Sequence, residues 1–178
     1  MEKEVTLLKP KVKEMSLAER LERCRDFFEM DHMVSYYTHK KLGTVKEWVD
    51  ETVKAYGNSV PRFLGPVVKT LTKLAPNLAL KKVFDNVFTF SQQHHEISEF
   101  EYSEPKNGEI VVKWTNCTRF KRHKKWIKAL GYDMGEREIC EVEKMHLTHP
   151  AHPGYRMGFI PIKAEWVGEG CVWTYKKK

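Results

Sequence analysis

The hydrophobic period of this chain changes near Phe88, and no other feature limits its fold as strongly. Before that point apolar residues recur at helical spacing. One run is Leu17, Leu21, Cys24, Phe27, Phe28 and Val34, and another is Val45, Trp48, Val49, Val53 and Tyr56. Residues three or four apart share one helix face, so both runs predict amphipathic helices. After that point, residues 89–102 and 109–115 are rich in aromatic and β-branched side chains with at least partial alternation. That is the pattern of strands with one covered face.

The punctuation supports the same division. Ser16-Leu17-Ala18-Glu19 and Thr44-Val45-Lys46-Glu47 are capping boxes, and Gly43 and Gly57-Asn58 can end the helices they open. Pro61 and Pro76 fit the first turns of helices over 62–74 and 77–87. Asn107-Gly108 marks a hairpin turn, and Gly168-Glu169-Gly170 joins strands over 155–166 and 171–175. Between the hairpins lie a basic helix from Thr118 to Gly131, an acidic helix over 135–146, and a proline-bearing loop over 149–154. The expected architecture is therefore α+β: an N-terminal helical layer on a small antiparallel sheet made of two hairpins. Residues 1–15 read as an arm. Residues 16–178 read as one domain, with a helical half over 16–87 and a hairpin and site half over 88–175.

Composition narrows the function classes. No apolar stretch approaches the roughly 20 residues of a membrane helix. The start, Met-Glu-Lys-Glu-Val, lacks the basic head and apolar run of a secretory signal, so a cytoplasmic protein is expected. The net charge of +7 is local: residues 118–130 carry six Lys/Arg and no acid, and three more lysines close the chain. A whole-surface nucleic-acid footprint is not the reading, because the aromatics of the basic helix fall mostly on its apolar stripe of Phe120, Ile127 and Leu130. The helix instead suits a small carboxylate or other anion, with Arg119 and Arg122 as candidate binders, or pairing with the acidic helix that follows. The plainer alternative is a solvated amphipathic helix. A homo-oligomer is left open.

The four cysteines, Cys24, Cys117, Cys140 and Cys171, include no C-x-x-C pair and are expected as thiols. Cys140, Glu143 and His146 follow one another at intervals of three, which aligns a thiol, a carboxylate and an imidazole along one helix face. A thiolate can attack an electrophilic carbon once a base takes its proton, and a carboxylate can direct a water molecule. Cys117 and Cys171 stand where strands meet other elements, as site residues often do. The alternative for every thiol is packing, since free Cys is commonly buried. His146, His149 and His152 raise a transition metal such as zinc, with Cys140, Cys171, His146 and His149 as candidate ligands, although the two prolines break any shared face. His94-His95-Glu96 is weaker, because adjacent imidazoles on a strand point to opposite faces.

From Asn116 to Tyr175 the chain resembles the L-2-amino-thiazoline-4-carboxylic acid hydrolase-like proteins and the prokaryotic families related to them. The matching features are Cys117 before a helix ending at Gly131, Cys140 followed by Glu143, and Gly168-Glu169-Gly170-Cys171-Val172-Trp173. The last strand is also similar to the four-vinyl-reductase type of small-ligand domain, whose cysteines can hold metal. The resemblance implies an α+β domain and hydrolysis of a C–N or cyclic C=N bond in a small carboxylated heterocycle. It makes Cys140 and Glu143 the catalytic pair, with Cys117 and Cys171 beside them. No cofactor is otherwise expected. Glu143 stands where the family usually has Asp. A non-catalytic module that binds a metal or an apolar ligand is the alternative.

Overall fold

The computed structural model describes residues 15–59, 64–95 and 99–178, with the side chains of residues 59, 64 and 86–95 outside that description. Residues 1–14 of the expected arm, Pro61 and Glu96 therefore lie outside the described residues. The order is α1 (Leu17–Leu42), α2 (Val45–Ser59), α3 (Leu64–Leu74), α4 (Pro76–His95), β1 (Glu99–Tyr102) and β2 (Glu109–Asn116), then α5 (Thr118–Leu130), α6 (Glu138–Thr148), α7 (Pro153–Arg156), β3 (Phe159–Val167) and β4 (Gly170–Lys177). The architecture is α+β, with N-terminal helices and an antiparallel sheet built from two hairpins in the order β1-β2-β4-β3.

The capping box at Ser16 forms in full: the Glu19 N–H donates to Ser16 Oγ at 3.2 Å, and the Ser16 N–H donates back to the Glu19 carboxylate at 2.8 Å. Gly43 and Gly131 end α1 and α5 at φ 70° and 64°, where a side chain would be strained.

Three expectations need correction. Residues 89–95 are the last turns of α4 and not a strand, so His94 and His95 lie on a helix. Leu80, Phe84 and Phe88 keep the helical interval, and no Gly or Pro interrupts the chain between Pro76 and Pro105. Aromatic and β-branched content alone does not make a strand when that interval persists. Residues 153–156 form the short helix α7, capped by His152 Nδ1, which accepts from the Gly154 N–H at 3.1 Å, so β3 starts at Phe159 and not near Tyr155. Finally, α1 turns a different face inward. Glu29, Met33 and Tyr36 are buried, while Leu17, Leu21, Phe27, Phe28 and Val34 are exposed.

The register of β2 against β4 sets Ile110 opposite Tyr175, Val112 opposite Trp173 and Trp114 opposite Cys171. Alternation puts these six side chains on one face of the sheet. Gly170 is required for the approach of these strands: a Cβ there would stand 1.8 Å from the Trp114 carbonyl oxygen.

Two cores result. Ala79, Leu80 and Phe84 of α4 pack on Ile110, Val112 and Phe159 of the sheet. Separately, α1, α2 and α6 contribute Met33, Tyr36, Val49, Val53, Ile139 and Val142, with Trp126 and Ile127 of α5 against them. No helix among the described residues is long and apolar enough to cross a membrane.

Candidate functional site

The helical core differs from the sheet core in what else it buries. Because α5 starts directly after β2, Arg119 and His123 lie one turn apart and face α1. Arg119 Nε donates to Glu29 Oε1 at 2.9 Å, and His123 Nε2 meets Glu29 Oε2 at 2.8 Å. Glu29 is 2% exposed and His123 4%, so both heads of this carboxylate are spent inside the protein. The contact orients His123: with Nε2–H donating to the carboxylate, the Nδ1 lone pair points elsewhere. His32, one turn beyond Glu29 on α1, packs edge-on to His123 at 6.3 Å and against Trp48 at 5.5 Å.

On the far side of Arg119 stands Glu143 of α6, 3.8 Å from Nη1, with His146 Nδ1 3.7 Å from its other oxygen. His146 also meets Trp48 edge-on at 5.6 Å. The charge of Glu143 is felt by His32 on α1, Tyr56 on α2, Arg119 and His123 on α5, His152 before α7 and Tyr175 on β4. A residue reached from so many elements is central in the molecule, yet 36% of its side chain remains accessible.

The thiols gather nearby. Cys117 is the N-cap residue of α5, and its N–H donates to the Glu169 carbonyl at 3.3 Å in the β3–β4 turn. That link brings it toward Cys171, whose sulfur accepts from the Trp173 indole N–H at 3.1 Å. Cys140 and Cys117 both act electrostatically on Cys171. The structure thus brings Cys117, Cys140, Cys171, Arg119, Glu143 and His146 into one neighbourhood.

Arg122 is not among them. Its Nη2 donates to both oxygens of Glu22 on α1, at 2.7 and 2.8 Å. The basic helix as a whole turns toward α1 more than toward the acidic helix: Arg119 meets Glu29, Arg122 meets Glu22, and Lys125 meets Asp26. His149 is engaged at both nitrogens, with Asp50 at 3.2 Å and the Ala151 N–H at 3.1 Å, and His152 caps α7. Cys140, Cys171, His146 and His149 form no metal-sized group among the described residues. Cys24 is exposed.

Electrostatics assign protonation states. Burial, aided by the Arg119 charge, brings the His32 imidazole down to about 4, and burial also lowers His123 despite its contact with Glu29. Burial alone would raise Glu143, but Arg119, then His146 and His32, outweigh it and hold the carboxyl well below the usual range. Burial pushes the Cys171 thiol up to about 12 and raises Cys140, in spite of Arg137 beside the latter. At neutral pH the site therefore holds ionised Glu143, neutral His32 and His123, and protonated Cys140 and Cys171.

Comparison with family models, curated proteins and solved structures finds no match to this chain. The site residues that sequence reasoning passed over are Glu29, His32, Trp48 and His123. Two signals for them were present: Glu29-Met-Asp-His32 at i and i+3, and Arg119 and His123 at i and i+4.

Proposed function

We propose that this protein is a hydrolase-like enzyme acting on a C–N or cyclic C=N bond of a small carboxylated heterocycle or amide-like compound. The observation that carries the reading is Glu143: an ionised carboxylate, accessible, and flanked by Arg119 and His146. The resemblance over 116–175 also points to Glu143, paired with Cys140.

The protonated state of Cys140 and Cys171 favours water over a thiolate as nucleophile. A carboxyl as acidic as Glu143 is a weak base, so its role is to orient His146 and to stabilise the imidazolium. The His146 Nε2, buried and without a hydrogen-bond partner, is the proton acceptor. Water oxygen bonds the electrophilic carbon as its proton passes to Nε2, and the departing nitrogen takes that proton when the C–N bond breaks. Arg119 supplies positive charge for the substrate carboxylate. The three thiols line the wall of the site.

Turnover of 2-amino-thiazoline carboxylates and open-chain ureido or amide carboxylates by the purified chain tests the reading. Activity that falls by about 100-fold or more in Glu143→Gln and His146→Ala, each with unchanged circular dichroism, supports it. Absence of turnover across the set, with saturable binding of one member, overturns it in favour of a binding module. The neutral thiols and the aromatic face of Trp114, Trp166, Trp173 and Tyr175 would suit such a module.

A further inference from the structure

The Glu29, His32 and His123 cluster has no part in that chemistry, yet its composition is unusual for a packed interior. One donor atom from each of the three residues lies within 4.8 Å of the others. Two are supplied by one helix at i and i+3, and the third by the helix packed across it. The rings bring buried nitrogens that nothing satisfies: His32 Nδ1 and His123 Nδ1 have no hydrogen-bond partner. A buried polar atom left unpaired costs about 1–3 kcal/mol, so it calls for an occupant or a function.

We propose that Glu29, His32 and His123 form a binding site for one divalent transition-metal ion, of the zinc or ferrous class. Two imidazoles and one carboxylate are the donor set that such ions take in open sites, whereas Mg²⁺ and Ca²⁺ prefer all-oxygen surroundings. Two atoms each about 2.1 Å from a metal stand roughly 3.0–3.4 Å apart in octahedral or tetrahedral geometry. The 2.8 Å between Glu29 Oε2 and His123 Nε2 needs only a few tenths of an ångström to reach that spacing. A neutral imidazole carries one proton, so ligation through His123 Nε2 places that proton on Nδ1. Arg119 holds the other oxygen of Glu29 and so directs single-oxygen ligation, the role of an outer hydrogen-bonding partner. Its positive charge beside a cation is offset by Glu143, 3.8 Å from Nη1. The competing explanation is an ion-paired pin that fastens α5 to α1 and binds nothing.

Cobalt titration of the full, untagged, chelator-stripped chain distinguishes the two. The expected result is one equivalent of Co²⁺ per chain, with the visible d–d bands of a nitrogen- and oxygen-ligated ion and displacement by Zn²⁺ but not by Mg²⁺. His32→Ala leaves the Glu29 contacts to Arg119 and His123 in place, so it is expected to stay folded. It should weaken binding by ~100-fold or more, beyond what loss of an outer partner costs. His123→Ala should do the same, and His149→Ala should change nothing. No saturable binding overturns the site. Binding that survives His32→Ala in folded protein, or that vanishes with His149→Ala, overturns it as well.

Discussion

The two cores of this molecule are built from opposite materials. Between α4 and the sheet, Ala79, Leu80, Phe84, Ile110, Val112 and Phe159 make an interior of hydrocarbon and aromatic rings. Between α1, α2, α5 and α6, a comparable set of apolar residues shares its space with Glu29, Arg119, His123 and His32. Burying charge is costly even when it is paired, and an apolar filling of equal volume is commonly as stable or more so. The first core needs no explanation beyond burial of apolar surface. The second holds groups that stability alone does not select, and Glu143 with its accessible surface stands at its edge.

The largest expected effect breaks the polar core at one point. Glu29→Gln removes the charge that faces Arg119 and should cost about 3–5 kcal/mol in urea unfolding, because it strands a partner inside the protein. Next is Leu80→Ala in the dry core, expected to cost about 3 kcal/mol through lost transfer energy and the cavity left behind. If Glu29→Gln proved the milder of the two, water would already be satisfying the polar core.

Acid should separate the cores further. His32 and His152 are both held near 4 by burial, against an ordinary value of 6.5. The unfolded chain therefore binds protons that the folded chain refuses between about pH 6.5 and 4. Stability is fully present above 6.5 and falls as the pH drops through that window. Thermal melts across it should show the midpoint falling by roughly 2–4 °C for each kcal/mol lost. In His32→Asn the slope should be shallower, whereas Leu80→Ala should shift the whole curve without changing its slope. The smallest effect belongs to neither core: Phe27→Ser, on the exposed face of α1, should stay within ~0.5 kcal/mol of the parent chain.

That last prediction marks where the sequence misleads. Leu17, Leu21, Phe27 and Phe28 form a good apolar stripe by spacing, and the fold leaves them in solvent. The face that α1 buries instead packs Met33 and Tyr36 against α2 and α6 and sets Glu29 against Arg119 and His123, partners about 90 residues distant that no local pattern reports. The layer order, both hairpins and the caps at Ser16, Gly43 and Gly131 were legible because each depends on a few neighbouring residues. Residues 89–95 were not, since the continuing helical interval outweighed their strand-like composition. The Cys140, Glu143 and His146 row was visible as a spacing on one helix. The meeting of α5 with α1 that supplies His32 and His123 was invisible, being a matter of tertiary packing.

The central claim is that the polar groups of the helical core are kept for what they bind and not for the fold. The direct measurement is urea unfolding of a chain carrying Glu29→Met, Arg119→Met, His123→Leu and Glu143→Gln together, so that no charge loses its partner alone. The account predicts a stability equal to or above that of the parent, with turnover and cobalt binding gone. A loss of about 3 kcal/mol or more in that chain would contradict it, and would make the cluster a structural fastening.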